Sequence, residues 1–441
     1  MTAVNNPEDK VRALQRALYT AAKGNPQRRF PALYDRISRP DVLGRAWEQV
    51  RQNRGSAGID GETIEAIEAY GVERMLAELR ERLEAKRYRP PAVRRVYIPK
   101  AGQRGNRRPL GIPAVRDRVV QTACKLVLEP LFEASFRPNS YGFRPKRSAH
   151  QALEAIRKEV NAGGNWVVDG DVADFFGSLD HDLLLQLVSR RVSDRRVLRL
   201  LRLWMRAGVL EDGVISLNRT GVPQGGAISP LLANIYAHAL DALWERDASH
   251  LGKLIRYADD FVVLCRTEAQ AQAALRWLEG TLGRLKLRLH PDKTRVVNLG
   301  AGQEGFDFLG YHIRRVESWR YPGRSYCQRW PSKRALVAIR SRVKAVIGPR
   351  NQLSRSLSDV VAQLNPVLRG WGNYFRWGNS SRKFVQIDSY VHERLALFDS
   401  KKRGRSGRGW GKRHNVAWLR SLGVYRLTGT VRYGSPAKAA V

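Results

Sequence analysis

Leu254-Ile255-Arg256-Tyr257-Ala258-Asp259-Asp260-Phe261-Val262-Val263-Leu264-Cys265 is two apolar half-strands around a tetrad that carries two adjacent acids. An apolar run broken by so short a polar centre reads as a β-hairpin, with the acids at its tip. Like charges held side by side in a partly dry site repel each other unless a cation neutralises them. Oxygen ligands on a rigid hairpin suit Mg²⁺, which takes one or two carboxylates together with substrate phosphates. A third acid, Asp171, ends the apolar strand of Asn165-Trp166-Val167-Val168-Asp169-Gly170-Asp171. If that strand neighbours the hairpin, Asp171 and Asp259 share two ions about 3.5–4 Å apart, the arrangement for an in-line phosphoryl displacement. Side chains alternate along a strand, so Asp260 points away from Asp259 and assists rather than leads.

Working outward, the chain has 441 residues, in which 78 Lys and Arg against 41 Asp and Glu leave a formal charge of +37. Such an excess calls for a polyanion, nucleic acid before an anionic membrane surface. Cys124, Cys265 and Cys327 are isolated, which excludes a disulfide scaffold and a cysteine-rich zinc site. The first residues lack the apolar core of a signal peptide. The longest uncharged stretch, Thr220 to Leu240, is broken by Pro223, Gly225, Gly226 and Pro230, so no membrane span is expected. These features predict a cytoplasmic, nucleoid-associated protein of bacterial type.

Helical spacing of Val11, Leu14 and Leu18 predicts a helical N-terminus, and residues 53–61 read as a turn-rich loop. Residues 94–113 read as two strands around a Gly-rich basic loop. Helices are predicted from Asp117, Asp180, Ser229 and Ala269, with Pro230 at the favoured first position. The element order fits an α+β domain with a small antiparallel sheet and helices on one face. Beyond about residue 330 the chain turns helical and basic. Ser332 caps a helix that Gly348 ends, while Ser358, Asp359 and Pro366 punctuate two more. Residues 401–413 form a Gly-interrupted basic run without an acid, expected to be mobile without its partner.

Tyr257-Ala258-Asp259-Asp260 resembles the signature hairpin of reverse transcriptases. Asp171 with Phe176 five residues later resembles their first metal-binding motif and its sugar-reading aromatic. Thr220-Gly221-Val222-Pro223-Gln224-Gly225-Gly226, followed by residues 228–234, is similar to the template and nucleotide-positioning motif of group II intron reverse transcriptases. Further motifs of that family are resembled by Tyr141-Gly142-Phe143-Arg144-Pro145, Ile98-Pro99-Lys100, Arg108–Pro113, Lys293 and Phe308-Leu309-Gly310-Tyr311. Gly370-Trp371-Gly372-Asn373-Tyr374-Phe375 resembles its maturase-specific region. Where many members continue into a metal-dependent endonuclease this chain stops, so a form without one is expected.

The resemblance implies a right-hand polymerase. An N-terminal helical extension with the start of the fingers (1–61) precedes the fingers proper (62–165), palm (166–320), an all-helical thumb and maturase region (321–395) and a basic DNA-binding segment (396–441). It implies RNA-templated DNA synthesis with two Mg²⁺ ions, for which Mn²⁺ can substitute. Asp171, Asp259 and Val172 are expected at the metals, with Asp260 and Lys293 completing the catalytic set. Lys100, Arg108, Phe176, Gln224, Gly225 and Val172 are expected at the nucleotide. Phe176 by itself reads as a core aromatic, but after Asp171 its ring would collide with a ribonucleotide 2′-hydroxyl. Lys293 is expected to neutralise or protonate the departing pyrophosphate.

Arg144, Lys146, Lys401, Lys402, Arg403, Arg405 and Arg408 are expected on nucleic acid. Trp371, Tyr374, Phe375 and Trp377 offer rings for base stacking, yet helical spacing assigns at least two of them to the thumb core. His414-Asn415 is not a nuclease motif, since no second His or cysteine knuckle accompanies it. Partners implied are an RNA template (an intron RNA), a DNA primer or target, and deoxynucleotide triphosphates, with no membrane. Two other readings stay open: chiefly an RNA-binding splicing maturase, or a host-recruited reverse transcriptase for DNA repair or defence. The sequence does not give the oligomeric state.

Overall fold

The computed structural model describes residues 7–99, 107–211, 213–217, 220–300, 302–348, 353–409 and 412–433. The chain opens with helices α1 (Pro7–Gly24), α2 (Tyr34–Ile37), α3 (Pro40–Gln52), α4 (Ile64–Tyr70) and α5 (Val72–Glu84). Their apolar stripes, including Val11, Leu18, Ala46 and Val50, are buried in one core with the fingers and palm. The strands β1 (Val93–Pro99) and β2 (Arg107–Ile112) pair antiparallel, and α6 (Val115–Glu133) and α7 (Ala149–Asn161) follow. Both α1 and α3 pack on α6.

The palm begins with β3 (Trp166–Asp171), then α8 (Phe175–Ser178), α9 (His181–Ser189) and α10 (Arg195–Met205). A short hairpin, β4 (Val209–Glu211) and β5 (Val214–Ser216), extends the fingers sheet through parallel pairing of β4 with β1. Next come α11 (Ser229–Asp247), β6 (Lys253–Tyr257), β7 (Asp260–Cys265), α12 (Glu268–Arg284) and β8 (Arg295–Asn298). The palm sheet has the order β6-β7-β3-β8, every pair antiparallel.

Apolar residues on consecutive positions of β3 and β7 bury both faces of this sheet. Val168, Phe261 and Val263 face the core of α9, α11 and α12, while Val167, Val262 and Leu264 face a second core. The expectation of helices on one face is therefore corrected: α7 covers the other, against β6 and β7.

That second core also holds β9 (Phe306–Phe308), β10 (Tyr311–Glu317) and β11 (Ser325–Pro331), a three-stranded antiparallel sheet, and the helices α13 (Lys333–Ile347), α14 (Leu357–Phe375), α15 (Ser381–Lys402) and α16 (Val416–Ser421). Ser332 caps α13 by accepting from the Ala335 amide, as predicted. Pro366 does not separate two helices but sits inside α14. A proline there removes one hydrogen bond and crowds the preceding turn. The buried stripe Val361, Leu364, Leu368 and Phe375 on either side of it holds the helix together. Strand β11 lies within 321–395, so the region is all-helical only after it, and the border at 395/396 falls inside α15. Among the described residues no helix is long and apolar enough to cross a membrane.

Candidate active site

Tyr257 pairs with Asp260, which leaves Ala258 and Asp259 as a two-residue turn between β6 and β7. Ala258 has φ +59°, a left-handed conformation that such turns usually give to Gly or Asn. The surroundings hold it there. Arg256, 2 % exposed, donates from Nη1 to the Ala258 carbonyl (2.8 Å) and to Asn234 Oδ1 (3.2 Å). Its Nε and Nη2 take both oxygens of the fully buried Asp241 at 2.9 and 2.6 Å, and Nη2 also reaches Ser140 Oγ at 2.7 Å.

Segment 139–142 lies alongside. The Tyr141 amide donates to the Arg256 carbonyl, the Arg256 amide donates to the Asn139 carbonyl, and Asn234 Nδ2 donates to the Gly142 carbonyl. A Cβ on Gly142 would lie 2.3 Å from the Ala258 nitrogen, so only glycine permits this approach. The Tyr141-Gly142 motif and the Asn234 motif thus brace the turn.

Asp171 and Asp260 are direct cross-strand partners in the β3–β7 register. Between Asp169 and Asp171, a Cβ on Gly170 would stand 2.4 Å from the Phe261 ring, so glycine lets the two strands close. Burial raises the Asp259 carboxyl and the charge of Asp171 adds to this, while Arg108 and Lys293 pull it down. Asp260 is exposed, yet the protein around its carboxyl, then Asp259 and Asp171, push it up to about 7. Asp169 rises to about 6 through burial, against the pull of Arg295, whose Nε lies 3.3 Å from its Oδ2.

Lys293 Nζ donates to Asp171 Oδ2 at 2.7 Å. The turn that carries Lys293 is docked by the His290 amide, which donates to the Asp171 carbonyl at 2.8 Å. Among the described residues no three His, Cys, Asp or Glu side chains converge into a ready metal cage. Hard carboxylate donors that repel one another, one of them already neutralised by an ammonium, fit a divalent cation whose remaining ligands come from substrate.

The neighbouring elements are tied to one another through their backbones. Phe176 is half-buried in α8, edge-on to Phe175 at 5.8 Å. Its carbonyl accepts from the Val222 amide (2.8 Å), and the Leu179 carbonyl accepts from the Gly221 amide (2.8 Å). Gly221 has φ +81°, and a Cβ there would lie 2.7 Å from the Phe176 carbonyl oxygen. On its other side the loop joins the fingers, because the Gly111 amide donates to the Gln224 carbonyl at 2.6 Å. A Cβ on Gly225 (φ +114°) would lie 2.5 Å from the Gly111 carbonyl oxygen. Residues 221–225 therefore tie the fingers strand β2, which carries exposed Arg108, to the helix of Phe176. Val172 is buried just beyond Asp171 and bridges Leu289.

The structure thus brings Asp171, Asp259, Asp260 and Lys293 together, sets Val172 next to Asp171 and Arg108 within charge range of Asp259, and ties the loop of Gln224 and Gly225 to the helix of Phe176 and the strand of Arg108. Lys100 lies outside the described residues. Arg144 is a correction. Its side chain is 3 % exposed, and its Nε and Nη2 hold the Glu133 carboxylate at 2.9 and 2.6 Å. Its Nη1 donates to the carbonyls of Arg137 and Ser140, so four of its five N–H donors are spent inside the protein and the buried side chain does not present itself to a phosphate. Lys146 is exposed at φ +58°.

The basic run near residue 405 is anchored rather than loose. Arg403 pairs with Asp399 at 3.0 Å and Arg408 with Glu393 at 2.5 Å. His414 is buried, its Nε2 on Asp399 (2.8 Å) and its Nδ1 on the Arg408 carbonyl (2.7 Å). Lys401, Lys402 and Arg405 are exposed, with Lys402 Nζ on the Arg355 carbonyl. Trp371, Tyr374 and Phe375 pack into the thumb core, and Tyr374 Oη donates to the Leu309 carbonyl at 2.8 Å.

The reading from sequence missed Arg256 and Asp241. Their signal was a lone arginine inside an apolar strand and a lone acid on an apolar helix face, which means little until the two are seen to meet.

A family model described as "Reverse transcriptase (RNA-dependent DNA polymerase)" matches residues 98–313, and one described as "Group II intron, maturase-specific domain" matches residues 336–418. Protein YkfC of Escherichia coli (strain K12) is 37% identical over 347 residues, which cover 70% of this chain and 89% of YkfC. Group II intron-encoded protein LtrA of Lactococcus lactis subsp. cremoris is 36% identical over 214 residues, 48% of this chain and 35% of LtrA. Nuclear intron maturase 1, mitochondrial, of Arabidopsis thaliana is 39% identical over 89 residues, 20% of this chain and 12% of that protein.

Proposed function

Because the chain belongs to the group II intron reverse transcriptase and maturase family, we propose that its cleft copies RNA into DNA and that the same protein binds a group II intron RNA. The observation that carries the polymerase reading is the register that sets Asp171 opposite Asp260 with Asp259 at the hairpin turn. In this reading Asp171 and Asp259, with Val172 beside them, hold the divalent ions. Mg²⁺ bound there supplies the positive charge that acidifies a primer 3′-hydroxyl and offsets the charge of the leaving pyrophosphate.

Arg108 receives the triphosphate, and Gln224 and Gly225 position the incoming base pair from the loop beneath it. The 3′-oxygen gives up its proton to a solvent water and bonds to the α-phosphorus, while the bond from that phosphorus to the oxygen bridging to the β-phosphate breaks and pyrophosphate leaves. Lys293, whose ammonium already lies at the acids, offers charge and a proton toward the departing pyrophosphate. The direct test is extension of a DNA primer on an RNA template, dependent on added Mg²⁺ and abolished by chelation. No extension by folded protein would overturn the reading.

Phe176→Ala is expected to raise incorporation of ribonucleotides relative to deoxynucleotides, since the ring edge then no longer meets a 2′-hydroxyl. Competitive incorporation on one template measures this, and unchanged sugar discrimination rejects the gate role while leaving the polymerase role intact.

RNA and DNA binding rest on the +37 charge and the maturase-specific match. Exposed Lys401, Lys402 and Arg405 at the end of α15 are assigned to duplex DNA. Neutralising all three as Gln is expected to lower the slope of log affinity against log salt by roughly 2–3, about 0.9 per phosphate contact. Extension of a pre-annealed primer at saturating template stays unchanged. A full slope in the triple variant removes the segment from the DNA interface.

A further inference from the structure

The β10–β11 hairpin ends in Ser318-Trp319-Arg320-Tyr321-Pro322-Gly323-Arg324, a loop that none of the chemistry above uses. Its backbone is defined. The Ser318 amide donates to the Arg324 carbonyl at 2.7 Å, the Tyr321 amide donates to Ser318 Oγ at 3.1 Å, and Gly323 turns at φ +76°. On this frame Trp319 is 90 % exposed and Tyr321 55 %. The guanidinium groups of Arg320 and Arg324 lie 5.8 and 5.9 Å from the Tyr321 ring centroid. A single exposed apolar residue is ordinary. Here, however, a nearly bare indole, a second ring and two cations share one rigid tip, and the hairpin carries five arginines against one acid, Glu317.

The tip also has a defined place. Arg315 in β10 bonds to Asn165, and the Cys327 amide in β11 donates to Asn161 Oδ1 at 2.8 Å. Asn165 immediately precedes β3, whose far end carries Asp171, six residues away. At about 3.3 Å per residue Asn165 stands roughly 20 Å from Asp171, so the strands that carry the tip meet the palm at the end away from the acids.

We propose that this tip is a stacking platform for unpaired bases of the bound RNA, with Trp319 and Tyr321 taking base faces and Arg320 and Arg324 the flanking phosphates. The proposal rests on the RNA-binding part of the reading above and names the contact. Aromatic faces beside cations are the chemistry by which proteins hold single-stranded RNA. The excess of cations over acids favours a polyanion over a protein surface of mixed charge.

The test uses the full chain, a labelled RNA hairpin with an unpaired loop, and a fully paired RNA duplex of equal length. Trp319 contributes almost nothing to the core, so Trp319→Ala is expected to fold normally, as circular dichroism and solubility will report. It should weaken loop-RNA binding roughly 10- to 100-fold, the range for losing one stacked base. Duplex binding should change little, and Trp319→Phe should restore most of the affinity. Arg320→Gln with Arg324→Gln should lower the salt slope on the loop RNA by roughly 1–2. Unchanged loop-RNA affinity in Trp319→Ala overturns the proposal. So does an equal loss on the duplex. Primer extension on a pre-annealed template, measured in parallel, separates failure of this platform from failure of the polymerase reading.

Discussion

Asp259→Asn is expected to cut DNA synthesis by on the order of 10³-fold or more while RNA affinity stays near that of the parent. The substitution keeps the size of the side chain and one acceptor oxygen but removes the negative charge at the hairpin turn. Charge stabilisation at a metal-assisted phosphoryl transfer is worth several kcal/mol, and each 1.36 kcal/mol is about tenfold in rate. Asp171→Asn should do the same from the neighbouring strand, and it also deprives the Lys293 ammonium of its partner. Single-turnover extension of an annealed primer reads the loss, and an RNA titration reads the binding. If either variant extended the primer at the parental rate with Mg²⁺, the active-site assignment would be wrong.

The second large effect is predicted at Arg256. Arg256→Met leaves the Asp241 carboxylate buried without its cation, and breaking a buried pair in this way costs about 3–5 kcal/mol. It also frees the Ala258 carbonyl and loosens segment 139–142, both of which fix the turn that carries Asp259. Lower resistance to denaturant and loss of extension are expected together, so a second variant separates them. Replacing Asp241 by Leu along with Arg256→Met removes the stranded charge and should recover much of the stability. Extension should stay about 10²-fold down, because a shift of about 1 Å in a catalytic group costs that much. Recovery of both properties would mean that Arg256 serves the fold alone and does not position the hairpin.

How far the sequence reaches is clear from particular residues. The YADD hairpin, the strand ending in Asp171, the helix led by Asp180, the cap at Ser332, and the helix beginning at Ser229-Pro230 all depend on neighbours within a few positions. Alternation, capping and turn chemistry act over that range, so they were readable and the structure places them as expected. The charge excess is likewise a property of composition.

Other features depend on residues that are far apart in the chain, and only the tertiary structure decides them. Arg256 meets Ser140 across 116 positions and Asp241 across 15, so nothing local distinguishes it from a surface arginine. Arg144 looked like a phosphate contact until the fold turned it onto Glu133. Pro366 reads as a helix stop, yet burial of the stripe around it outweighs one lost hydrogen bond. Asp260 reads as a supporting acid that points away from Asp259, because alternation acts within one strand. The register between β3 and β7 then set it directly opposite Asp171. Sequence by itself determined which acids, glycines and rings are present and in what order, because local backbone chemistry is written in adjacent residues. Which of them meet was decided by burial and strand register, which depend on every element that packs against the palm.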